Sequence, residues 1–408
     1  MHCNAFIPVL ARLSCLIFIS LAVPANAQTD WSATIAAKGL AATEAELAAL
    51  PAPTDADLFA LGGVRFLGAI EVAVQTRWNT GMIDTLRMFP LFRLPIPENP
   101  AAKPFEPGVI ADLVRDVVTR LDAARDPLAN IPDRSDFGLT IRFADLWFDV
   151  NGNAVRDSGE DLAEIAGPIL LGPQWNARDP ATPLPVIRFD AADARWLSAY
   201  THLMGGLGDM VLAYDPTAPI TEVLAARKAF ADLRAPGYVD PLQPMEFDLA
   251  ADVILATLRT LDQQPDAARM ASAHSHFLSM IADNRQFWAL VALETDNEAE
   301  WLPNASQTSA LGMTFPPETG DLWLAVLDES EALLKGEILA PYWRLDDSAG
   351  VNVGRMFSAP APIDVLGWIQ GADALPYIEK GKVMTGESWM RFAGMMGGEA
   401  MLMTLFLN

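Results

Sequence analysis

Residues 109–122 read Val-Ile-Ala-Asp-Leu-Val-Arg-Asp-Val-Val-Thr-Arg-Leu-Asp, and their periodicity decides the fold class. Ile110, Leu113, Val114, Val117, Val118 and Leu121 recur at helical spacing, with Asp112, Arg115, Asp116, Arg120 and Asp122 between them. That is an amphipathic helix with one buried face. Upstream, Thr54 or Asp55 is placed to cap a helix running to about Trp78. Its Leu58, Leu61, Phe66, Leu67, Ile70, Val72 and Val74 make it apolar nearly all round, so it belongs in the middle of a core. Glu71 is an acid inside that apolar stretch, read either as paired with an arginine such as Arg65 or as a buried titratable group.

Downstream, helical stretches begin near Asp190, Thr221, Asp248, Asp266, Thr319 and Glu387, most with an Asp or Thr positioned to cap the first turn. The alternating runs Leu139, Ile141, Phe143 and Val186-Ile187-Arg188-Phe189 can form strands of a small sheet. Two proline-rich passages, 95–107 and 173–185, are predicted to be non-helical. Ile96, Phe105, Trp175 and Leu184 would pin them to a surface. The expectation is a mainly α, multi-helix globular domain with minor β and long proline-rich loops.

At the N-terminus, Arg12 precedes the apolar stretch Leu13 to Val23 and the small-x-small pattern Ala25-Asn26-Ala27. This layout predicts a signal peptide over residues 1–27 that is removed on export, leaving 28–408 as a single large helical domain in a periplasm or outside the cell. Cys3 and Cys15 both lie in the removed part, so the mature chain would hold no disulfide and no thiolate site. The whole chain carries a formal charge of −24, and the leader contains one basic and no acidic residue, so the mature charge becomes −25. Nucleic acid and anionic membrane surfaces are poor partners for such a chain. Cations, neutral ligands and an exported protein partner remain, and the charge also keeps an exported protein in solution. The apolar stretch Phe392 to Leu407 is interrupted by Glu399 and is shorter than a span, so no membrane span is expected.

The strongest chemical signal is Asp149-Val-Asn-Gly-Asn-Ala-Val-Arg-Asp-Ser-Gly-Glu160. Side-chain oxygens fall at positions one, three, five, nine and twelve, and a hard cation needs six to eight oxygens gathered by a tight loop. Over these twelve residues the chain resembles the EF-hand calcium loop. The resemblance implies one structural Ca²⁺ held by the side chains of Asp149, Asn151, Asn153, Asp157 and Glu160 and by the carbonyl of Val155. Three positions depart from the family pattern: Ala154 stands where the family has Gly, Arg156 replaces the aliphatic residue that joins paired loops, and Gly167-Pro168 leaves a stunted exit helix. Phe143, Ala144 and Phe148 suit an entering helix, while Leu139 to Phe143 suits a strand.

Other constellations are weaker. His274 and His276 point about 200° apart on a helix and cannot share a metal there. His202 falls on a stripe with Arg195 and Asp209 that reads as a solvated face. The run Glu294, Asp296, Glu298, Glu300 beside Trp301 is predicted to be a solvated helix end. Its carboxylates also supply the alternative function, a periplasmic hydrolase. The leading expectation is an exported calcium-binding protein with a structural or binding role.

Overall fold

The computed structural model describes residues 29–82, 94–170, 173–179, 181–235, 237–238, 247–313, 315–396, 403–404 and 407. Along them run α1 (Trp31–Ala48), α2 (Asp55–Thr80), α3 (Val109–Leu128), β1 (Leu139–Arg142), α4 (Leu162–Leu170), α5 (Pro173–Ala177), β2 (Val186–Phe189) and α6 (Ala191–Ala213). They are followed by α7 (Thr217–Leu233), α8 (Phe247–Leu261), α9 (Ala267–Val291), α10 (Thr319–Leu334), β3 (Ala349–Val351), α11 (Val353–Ser358), α12 (Val365–Gln370), β4 (Ile378–Lys380) and α13 (Glu387–Met396). The protein is mainly α, with two small antiparallel sheets, β1 with β2 and β3 with β4, among the described residues. Trp31–Asn408 forms one compact unit.

Helix α2 begins where Thr54 closes a capping box with Asp57 and ends at left-handed Gly81. Its Phe59, Val64 and Val74 are buried, and the helix packs chiefly on α3 and also on α1. At Gly62 an added Cβ would lie 2.6 Å from Leu128 Cδ2, so glycine lets α2 and α3 approach there. On α3 the expected face is turned inward, with Val118 and Leu121 buried and Asp112, Arg115, Asp116, Arg120 and Asp122 exposed. Helix α6, capped by Asp190 and Asp193 in a reciprocal box, makes the most extensive helix contact in the fold with α9. Gly206 faces the Phe277 ring there at a separation no side chain would tolerate. Trp196 anchors the centre, stacked on Tyr200 and edge-on to Trp301.

The proline passages divide. Residues 95–107 contain no helix, as expected, whereas residues 173–177 form the short helix α5. Proline is tolerated at a first helical position because that N–H would be unpaired anyway. The same reasoning moves the start of α7 to Thr217, ahead of the expected Thr221, with Pro219 in its first turn. Helix α4 also runs past Gly167-Pro168 to Leu170, although Pro168 lies in its interior and has no N–H to give the Glu164 carbonyl. Ile96, Trp175 and Leu184 do pack against the core. No helix among the described residues is long and apolar enough to cross a membrane. The predicted leader, residues 1–27, lies outside the described residues, as does Glu399.

Candidate calcium loop and carboxylate cluster

Strand β1, not a helix, leads to the loop. It passes into a single 3₁₀ turn at Phe143–Asp145 and then into the buried run Leu146, Trp147 and Phe148. Trp147 pairs antiparallel with Asp161, the Phe148 N–H donates to the Glu160 carbonyl at 2.9 Å, and the Leu162 N–H donates to the Leu146 carbonyl at 3.0 Å. The two ends of the loop are therefore stapled by backbone pairing, and α4 follows at once. The Trp147 indole donates to the Ile35 carbonyl at 2.9 Å and packs over Gly39, where α1 is broken at φ 77°. This fixes the base of the loop to α1.

Within the loop, the Asp149 carboxylate accepts the N–H groups of Asn153 and Ala154, each at 2.9 Å. Asn151 Oδ1 accepts the Asn153 N–H at 3.0 Å, and Asn153 Oδ1 accepts the Val155 N–H at 2.7 Å. These short turns bring the Asp149 and Asn151 oxygens together at the Asn153 N–H, while the carboxylates of Asp149, Asp157 and Glu160 are not all gathered within 4.8 Å of one another. The amide groups of Asn151 and Asn153 both donate to Asp157 Oδ2 at 2.8 Å and, ahead of all else, hold that carboxyl below the usual range. Ala154 sits at φ 60°, in the left-handed region, at the position where the family has glycine. Glu160 is 1% exposed and accepts from the N–H groups of Val150 at 3.0 Å and Asp157 at 2.8 Å. Arg156 folds back onto Asp161 and the Ala144 carbonyl, which occupies the position that would otherwise join a second loop. Three carboxylates, two amide oxygens and the Val155 carbonyl, all oxygen donors, are thus carried on one coil, a donor set suited to a hard divalent cation.

Glu71 is buried under this loop. It does not pair with Arg65, which bonds Glu44 at 3.0 Å; its carboxylate instead accepts the Asp149 N–H at 2.8 Å. Burial foremost, then the charges of Asp149 and Glu160, raises its pKa to about 7 against the opposing pull of that hydrogen bond and of Arg120. One turn on, Gln75 donates to the Asp149 carbonyl at 2.7 Å. The sequence placed Glu71 in the core but gave no sign that it grips the loop, because the two lie 78 residues apart.

The acidic run beyond α9 is only partly a solvated helix end. Asp296 and Glu298 are exposed, but Glu294 is half-buried and Glu300 is 5% exposed. One carboxylate oxygen each from Asp190, Glu294 and Glu300 lies within 4.8 Å of the others. Arg188 on β2 reaches Glu298 at 3.3 Å and Asp296 at 3.7 Å, drawing the outer acids aside. Burial, then the charge of Asp190, pushes Glu294 up to about 7, and burial raises Asp190, Asp193 and Glu300 as well. Trp301 belongs to the aromatic core and is not an exposed platform.

The histidines also rearrange the expectation. His274 points to the Leu334 carbonyl at 2.9 Å while His276 points to His202, so the two do diverge. His202 is not on a solvated face: its Nδ1 meets His276 Nδ1 at 2.8 Å between α6 and α9, beside buried Asp209. The chain matches no family model, no curated protein and no solved structure.

Proposed function

We propose that the protein is an exported calcium-binding protein in which one Ca²⁺ at residues 149–160 has a structural role. The observation that supports this best is the left-handed Ala154 within a coil whose Asp149 carboxylate gathers the N–H groups of Asn153 and Ala154. A non-glycine residue accepts that conformation at a cost of about 1–2 kcal/mol, so the loop is held in shape by its contacts and not by local preference. With Ca²⁺ bound, Asp149, Asn151, Asn153, Asp157 and Glu160 would turn oxygen atoms to the ion together with the Val155 carbonyl. The backbone staple at Trp147 and Asp161 and the grip of Glu71 and Gln75 suit an ion that ties β1, α2 and α4 together more than one that opens a surface. Isothermal titration of chelator-stripped protein with CaCl₂ tests the reading, which expects one site.

The convergence of Asp190, Glu294 and Glu300 favours a second reading, a hydrolase. A raised carboxyl beside others suits general acid chemistry. That reading needs a substrate cleft, and the two cavities described below are lined by none of the three. Assay of hydrolytic activity with Glu294→Gln separates it from the first.

A further inference from the structure

A cavity of about 980 Å³ lies between the α7–α8 pair and the body built from α3, α6, α9 and α11. Leu249, Val253, Ala256, Thr257, Thr260 and Leu261 line it at helical spacing, so one whole face of α8 is turned to it. Ile220, Val223 and Leu224 of α7 do the same from the adjoining side. An amphipathic helix ordinarily lays such a stripe on the protein core. Helices α7 and α8 pack chiefly on each other, and their stripes face a space of the size that ligands fill.

The lining specifies the chemistry of the occupant. It is overwhelmingly apolar, and among the described residues its charged members, Arg227 and Asp252, meet each other at 3.2 Å, so those residues bring no net charge to it. A second cavity of about 380 Å³ at Tyr342, Trp343 and Ile369 shares Met356, Ile363 and Trp368 with the first. Around it Trp343, Leu366 and Ile369 are 67%, 75% and 56% exposed, which gives an apolar route from the interior to the surface. Trp368 lines both cavities, and its indole N–H is buried with no acceptor among the described residues. That nitrogen is closed off from the cavity, so the apolar lining selects the occupant.

We propose that this cavity binds a long-chain acyl compound, with the chain against α7 and α8 and its polar end in the second cavity, toward the exposed rim of Trp343, Leu366 and Ile369. The site is independent of the calcium loop. The test uses the purified protein with dodecanoic acid, methyl dodecanoate and dioleoyl phosphatidylcholine vesicles, followed by native mass spectrometry and tryptophan fluorescence. At least one of the three is expected to load one molecule per chain. A free acid or ester points to a soluble source, and lipid taken from vesicles points to a membrane source. Ala256→Trp, which fills the cavity, should weaken binding at least tenfold, and Val253→Phe repeats the test if that variant does not fold. No loading by any probe, or loading unchanged in the folded filled variant, overturns the proposal.

Discussion

The buried Glu71 carboxylate on α2 accepts the backbone N–H of Asp149, the first residue of the candidate calcium loop, at 2.8 Å. Gln75 holds the carbonyl of the same residue at 2.7 Å. The central helix thus fixes both polar groups of the residue from which the loop coils. Glu71→Ala leaves the Asp149 N–H without its acceptor, at a cost of about 1–3 kcal/mol. Glu71→Gln keeps an acceptor oxygen and should cost less. Urea unfolding checks the order, and equal loss in the two variants contradicts the role given to the hydrogen bond.

Ala154 at φ 60° carries strain that glycine would relieve. Ala154→Gly should stabilise the folded protein by about 0.5–1 kcal/mol, the left-handed strain outweighing the greater freedom of glycine in the unfolded chain. A drop in denaturation midpoint would show that Ala154 is not strained.

Glu294 holds its proton more tightly when folded, with a pKa of about 7 against an ordinary 4.5. Its contribution to stability is complete below pH 4.5 and is lost as pH rises through 7. Glu294→Gln mimics the protonated form, so its stability relative to wild type should increase between pH 4.5 and 7. Melting temperatures across that range decide it. A constant difference would mean that Glu294 titrates normally.

His202 acts with the opposite sign. Burial foremost, then Arg125 and His276, holds it down to about 3 from an ordinary 6.5. A neutral buried base contributes stability that is complete above pH 6.5 and falls away toward pH 3. His202→Gln should therefore flatten the acid limb of the stability profile, and an unaltered limb would place the acid sensitivity elsewhere.

The helices that sequence periodicity found are those with a local signature at their start: Thr54 for α2, Asp190 for α6 and Asp266 for α9 all cap as expected. Helix α1 carries no clear helical period because Gly39, at φ 77°, breaks its pattern midway. Helix α5 is hidden in the sequence by a proline that sits harmlessly at its first position. The loop's spacing is legible because its candidate ligands all fall within twelve residues of the chain. The grip of Glu71, the gathering of Asp190 with Glu294 and Glu300, and the His202–His276 pair were not, because each joins residues far apart in sequence whose meeting depends on how α2, α6 and α9 pack. Long-range contacts of this kind leave no periodic trace.

The central claim is that one Ca²⁺ binds at Asp149 to Glu160 and stabilises the fold. Carboxylates on one coil repel when no ion is bound, and a divalent ion turns that repulsion into attraction. At a calcium concentration 100 times the Kd the gain is about 2.7 kcal/mol for a single site, a rise in Tm of about 3 °C for a chain of this length. Mg²⁺ should substitute poorly, since it prefers a rigid octahedron and retains its waters. Glu160 also binds backbone N–H groups, so Glu160→Gln should lower the Tm outright. The exposed Asp157→Asn is the cleaner control. The deciding measurement is the difference in Tm between calcium and chelator, taken within each of wild type, Glu160→Gln and Asp157→Asn. The account expects a clear difference in wild type that is largely lost in both variants. A wild-type Tm indifferent to chelator, with no heat on calcium titration, would contradict it.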